Sequence, residues 1–137
     1  MGSTLSVTVI PMPQLNAIGI IASDMGRTIA FYRLLGIDLP ETPDEGHVDT
    51  LLPNGVRFML DSEEEIKRFR PDWQRENGNQ LALAFDCASP SGVDELYARV
   101  VGAGFHGEKE PWDAFWGQRY AQLQDPNGIG VDLYAGL

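Results

Sequence analysis

The 137-residue chain has a single cysteine, Cys87. A lone cysteine cannot close an internal disulfide, so a reducing compartment is expected, and the residue reads as a small core side chain in an apolar strand. Basic residues are scarce too. Ten Lys and Arg stand against twenty Asp and Glu, for a net charge of −10. A surface of that sign repels phosphate backbones and anionic lipid. It argues against nucleic-acid and membrane partners and favours cationic ligands. No apolar run nears the roughly 18 residues of a membrane helix. The start of the chain lacks the basic, apolar, small-residue order of a secretory signal, so the cytoplasm is the expected location. There is no P-loop and no GxGxxG run. Ser23 and Ser89 sit at helix starts, where capping accounts for them, so no catalytic nucleophile–base set is visible.

What the chain does have is 43% hydrophobic residues, enough for one domain with a real core. It also has a repeated pattern. Residues 15–61 give an apolar strand, Ser23-Asp24, an amphipathic helix, Gly36 and further strands. Residues 80–135 give an apolar strand, Ser89-Pro90, an amphipathic helix, two glycines and further strands. Asp24 is the expected N-cap of a helix from Met25 to Leu35, and Pro90 opens the second helix behind Ser89. His47–Leu52 and Val56–Asp61 read as strands joined by a turn at Pro53-Asn54-Gly55. His106–Trp112 reads as a weak strand and Arg119–Gln124 as a firmer one. Asp125-Pro126-Asn127-Gly128 turns into a last strand, Ile129–Tyr134. Residues 5–10, Leu-Ser-Val-Thr-Val-Ile, form an extra strand ahead of the first module.

Three phrases, in order on this repeat, carry a resemblance: Asp24-x6-Phe31-Tyr32-x2-Leu35-Gly36, Trp116-Gly117-x-Arg119, and Asp125-Pro126-Asn127-Gly128. Together they resemble the glyoxalase/bleomycin-resistance/dioxygenase superfamily, also called vicinal oxygen chelate, over roughly Leu15 to Tyr134. The resemblance implies an α+β fold of two βαβββ modules forming a curved mixed sheet around a cavity, and a homodimer. It leaves open whether residues 5–10 cross to a partner or pair on their own edge. The superfamily includes metal enzymes and metal-free drug-binding proteins, so membership alone does not choose a function.

In the metal-dependent members, ligands come from the first and last strand of each module. A divalent ion needs N or O donors at about 2 Å there. The corresponding positions are Ala17, Met59, Ala82 and Asp132. One carboxylate is no metal site, so neither metal nor cofactor is expected. The chain's two histidines, His47 and His106, fall on middle strands or their edges.

Strand alternation separates a bulky face from a small one. Ile18, Ile20, Phe58, Leu60, Leu83, Phe85, Val131 and Leu133 suit packing against helices. Ala17, Gly19, Ile21, Arg57, Met59, Ala82, Ala84, Gly130 and Asp132 make up the other side. Small residues there either leave a pocket open or let two sheets or subunits approach closely. Trp112, Phe115, Trp116 and Tyr120 crowd one stretch, read as a loop from Pro111, Asp113 and Gly117. Its rings suit a planar or cationic ligand. Trp73 either covers the pocket or packs on a helix. Asp132 is the one anion of the small face. Arg57 either meets a ligand or pairs with Asp132 and cancels it, and Arg119 has a surface ion pair open to it.

The expected function is therefore metal-free binding of a small aromatic or cationic molecule in a pocket between the modules. The expected ligand-binding residues are Arg57, Met59, Trp112, Trp116, Tyr120 and Asp132. The resemblance adds antibiotic sequestration as the kind of task such proteins perform. The alternatives are a metal-independent enzyme with Asp132 as general base and a divergent metal-dependent glyoxalase or dioxygenase.

Overall fold

A computed structural model describes residues 13–76 and 81–137. The strand expected at residues 5–10 lies outside the described residues, as do residues 77–80. Ten elements follow in order: β1 (Ala17–Ala22), α1 (Met25–Leu34), β2 (His47–Leu51), β3 (Arg57–Ser62), α2 (Glu63–Phe69), β4 (Ala82–Asp86), α3 (Pro90–Gly102), β5 (His106–Ala114), β6 (Gln118–Gln124) and β7 (Gly130–Gly136). No helix among them is long and apolar enough to cross a membrane.

Local chemistry sets the helix ends. The Asp24 carboxylate accepts from the Arg27 amide at 3.0 Å and opens α1, and Gly36 follows the cap at φ +90°. The Ser89 hydroxyl accepts from the Gly92 amide at 3.0 Å, with Pro90 at the first turn of α3. Ser62 caps α2 in the same way, and Glu63, Glu64 and Glu65 lie in its first turn, favourable to the helix dipole.

The strands form two mixed sheets. Sheet one has the order β1-β3-β2, with β1 parallel to β3 and β2 antiparallel to it. Sheet two has the order β4-β7-β6-β5, with β4 parallel to β7 and the rest antiparallel. The architecture is the expected α+β pair of modules. Module two carries the full βαβββ unit. Module one carries three strands, because the chain between α1 and β2 stays irregular. Pro40 and Pro43 lack the amide a ladder needs, while Ile37 and Leu39 drop into the core from this segment.

One hydrophobic core serves both modules. Phe31 and Tyr32 of α1 and Val93 and Val100 of α3 meet the bulky strand faces: Ile20, Phe58 and Leu60 in sheet one, and Ala121, Leu123, Val131 and Leu133 in sheet two. Each fully buried large side chain contributes on the order of 1.5–3 kcal/mol. The packing corrects one expectation. The six expected ligand contacts do not line the cleft that opens between the modules. The bulky faces pack against α1 and α3, and the two modules meet through these helices in one shared core. The small faces turn outward: Gly19, Ala82 and Ala84 are exposed, and Met59 and Asp132 are half-buried.

Candidate functional site

The open face of sheet two carries most of the expected site. Register places Trp112 opposite Tyr120, Tyr120 opposite Tyr134, and Gln122 opposite Asp132. The Trp112 and Tyr120 rings lie 5.4 Å apart, Trp116 and Tyr120 5.2 Å, and Trp112 and Trp116 6.1 Å, all edge-to-face. Phe115 extends the cluster and is 97% exposed. Tyr120 donates its hydroxyl to Oδ2 of Asp132. Burial, then this bond and the charge of Asp132, push the Tyr120 phenol up to about 12. The Trp116 indole donates to Oε1 of Gln118 at 2.8 Å, which fixes the ring plane. The Lys109 ammonium stands 3.8 Å from the centre of the Trp112 ring.

Part of this geometry differs from the sequence reading. Pro111, Trp112 and Asp113 lie within β5, and only Phe115–Gly117 form the turn, with Gly117 at φ +92°. A strand can hold Pro111 because the β5–β6 ladder is irregular there, with register shifts on both sides of Lys109. Arg119 takes the surface ion pairs left open to it, at 2.9 Å to Asp94 and 3.1 Å to Asp113.

Met59 and Arg57 are not part of this cluster. They lie on the open face of sheet one, where Met59 pairs in register with Gly19 and Asp49. Arg57 bonds to Asp49 at 3.1 Å, not to Asp132, so it does not cancel the sheet-two anion. Sequence reasoning missed its neighbours. His47 Nδ1 lies 2.6 Å from Asp61 and Nε2 lies 2.8 Å from Asp49. The bond to Asp61, then that to Asp49, raises the imidazole above its usual range against a smaller opposing effect of burial. The His47 bond, followed by the charge of Arg57, holds Asp49 below the usual carboxylate range. The spacing His47-x-Asp49 on one strand was the available signal.

Two of the clefts elsewhere lie beside β1 and β4. One, of about 540 Å³, opens beside β1 and is walled by Gly19, Ile21, Arg70, Trp73, Arg75 and Asn127. Trp73 therefore covers a groove at the sheet-one edge, with Arg75 stacked on its ring and bonded to the Ile21 carbonyl at 2.9 Å. The other, of about 580 Å³, separates β4 from the end of α1 and is lined by Ile18, Ile37, Phe58, Leu83 and Phe85. This cleft between the modules is lined by Ala82 and Ala84 of the small face as well as by bulky residues, and touches none of the six expected ligand contacts.

The residues present do not fit a metal ion. Ala17, Met59 and Ala82 offer no N or O donor from their side chains, and Oδ2 of Asp132 already accepts a hydrogen bond from Tyr120. Both ring nitrogens of His47 face carboxylates. Among the described residues no group of three His, Cys, Asp or Glu is placed to hold an ion.

Residues 14–133 match the sequence profile of the Glyoxalase/Bleomycin resistance protein/Dioxygenase superfamily. Comparison with curated proteins finds no match. Among solved structures, the chain is similar to a glyoxalase/bleomycin resistance protein/dioxygenase from Nocardioides, at 22% identity and a TM-score of 0.73, over 95% of this chain and 87% of that one. It is also similar to a glyoxalase-related enzyme from Fulvimarina pelagi, at 17% identity and a TM-score of 0.77, over 91% and 89%. A lactoylglutathione lyase from Agrobacterium tumefaciens aligns at 20% identity and a TM-score of 0.65, over 92% and 96%. At these identities the likeness is one of fold.

Proposed function

Since the chain belongs to the glyoxalase/bleomycin resistance protein/dioxygenase superfamily, we propose that it is a metal-independent member that binds a small aromatic or cationic molecule, such as an antibiotic, without transforming it. The observation that carries this reading is the Trp112–Trp116–Tyr120 ring cluster beside the Asp132 carboxylate. Ring faces attract a planar cation, and a half-buried carboxylate complements its charge. The net charge of −10 steers cations toward the protein.

In this reading the open face of sheet two is one wall of the site. A second copy supplies the opposite wall from its sheet-one face, which brings Met59 and Arg57 to the ligand and makes the working unit a homodimer. Met59 provides a soft, adaptable apolar surface. Neither metal nor cofactor takes part, and the lone Cys87 agrees with a cytoplasmic setting.

Titration with a planar aromatic cation such as ethidium tests the proposal. The expected result is saturable quenching of tryptophan fluorescence and a higher melting temperature. Trp116→Ala or Asp132→Asn weakens binding, and a chelator changes neither readout. If saturating probe leaves fluorescence and melting temperature unchanged, the reading is wrong. Stoichiometric metal in the purified protein would remove its premise.

A further inference from the structure

We infer that Lys109 is a built-in occupant of the cation site, seated on the Trp112 ring until a ligand cation displaces it. The inference rests on the binding reading above and adds how access to that site is regulated.

The geometry begins with a bulge. In a regular strand, residues three apart point to opposite faces. Lys109 and Trp112 share one face, because their partners Gln122 and Tyr120 are two apart on β6. Three steps along β5 oppose two along β6, so one extra residue is accommodated between Lys109 and Trp112. A second irregularity lies between Gly107 and Lys109. Bulges of this kind re-aim a side chain at the cost of ladder bonds. Here the re-aimed side chain ends with its ammonium 3.8 Å from the Trp112 ring centre.

The neighbouring acids do not hold that ammonium. Glu108 bonds to His106 at 2.9 Å, and Glu110 lies close enough to Tyr97 to help raise its phenol pKa. The ring is what holds Lys109, and a ring that holds one ammonium holds another. An exposed cation–π contact is weak, so a flat polycyclic cation that also touches Trp116 and Tyr120 outcompetes a single lysine. A small ion such as sodium does not. Lys109 thereby sets a threshold that favours large aromatic cations over simple ones.

The chain has two lysines, Lys67 and Lys109, which makes the test clean. Reductive methylation with ¹³C-formaldehyde marks both, together with the N-terminus. The Lys109 signal, assigned by its loss in K109Q, is expected upfield under the Trp112 ring current. Ethidium is expected to move it to the unshielded position while Lys67 stays put. Binding of ethidium by K109M, followed by tryptophan fluorescence, is expected to tighten about fivefold, the scale of one exposed cation–π contact. An unshielded Lys109 signal in the free protein overturns the inference. So does K109M affinity that is equal to or weaker than wild type, with the binding reading left intact. Failure of ethidium to bind either protein overturns both.

Discussion

Tyr32 on α1 donates its hydroxyl to Asp125 at 2.8 Å, joining the first module to the turn that closes the second. Both groups are buried. Asp125 also accepts from the backbone amides of Asn127 at 2.7 Å and Ile129 at 2.9 Å. Asn127 in turn accepts from the amide of Ser23, just ahead of α1, at 2.9 Å. The Asp125-Pro126-Asn127-Gly128 turn is therefore a latch between modules. Burial, then the adjacent carboxylate, pushes the Tyr32 phenol far above its usual range, so it stays a donor at all working pH.

Tyr32→Phe removes one bond to a charged acceptor and leaves the two backbone donors in place. The expected loss of stability is about 1–3 kcal/mol, read from the urea midpoint at constant slope. Asp125→Ala takes the acceptor from four donors, the Tyr32 hydroxyl, the Asn127 and Ile129 amides and the Asn127 side-chain amide, and costs more. Equal losses for the two variants would mean that the backbone bonds of the turn carry no weight.

His47 gives stability a pH dependence. Its folded pKa lies above the ordinary value of 6.5, chiefly through its bond to Asp61 and then that to Asp49. A raised pKa means that the folded state holds the proton more tightly. The contribution is complete below about pH 6.5 and declines as pH rises through the folded value. The side chain is 43% exposed, so screening keeps the effect small. The urea midpoint of wild type is expected to fall between pH 6.5 and 9 more steeply than that of His47→Gln. Parallel curves would refute the clamp.

Ala88 sits at φ +69°, the sole non-glycine residue with positive φ among the described residues. It links β4 to α3, and its amide is held by Asp86 at 2.9 Å. The left-handed conformation costs an ordinary residue about 1–2 kcal/mol, of which glycine returns part as chain entropy. Ala88→Gly is expected to stabilise the protein by roughly 0.5–1 kcal/mol in guanidinium unfolding. A destabilised variant would show that the turn tolerates Ala88 without strain.

Much of this fold was legible because local rules and tertiary packing agree. Asp24, Ser62 and Ser89 cap the helices they precede, and the strand faces divide as alternation requires. The Pro53-Asn54-Gly55 turn sets the register that puts His47 against Asp61: the Leu52 amide bonds to the Val56 carbonyl, with Gly55 at φ +89°. The site was half legible. Trp112, Trp116, Tyr120 and Asp132 do gather on one face. Pattern could not show that the two modules meet through α1 and α3 in one core, because each bulky face was equally ready to cover its own helix alone. Nor could pattern show Lys109 over Trp112, since strict alternation puts those residues on opposite faces and only Pro111 hints at the bulge.

The Tyr120–Asp132 bond offers a probe of the site that needs no ligand. Burial raises the Tyr120 phenol most, then the bond to Asp132, then the charges of Asp132 and Tyr134, to about 12. Asp132→Asn removes the charge of Asp132 and weakens the bond but leaves burial. Ultraviolet titration of tyrosinate absorbance should therefore show the Tyr120 pKa falling in the variant while remaining above the ordinary value of 10.0. A fall all the way to 10 would make Asp132 the dominant cause and the face wetter than its packing implies. No change would mean that Asp132 does not accept the Tyr120 hydrogen bond, and the anion beside the aromatic cluster would then lack the orientation that ligand binding requires.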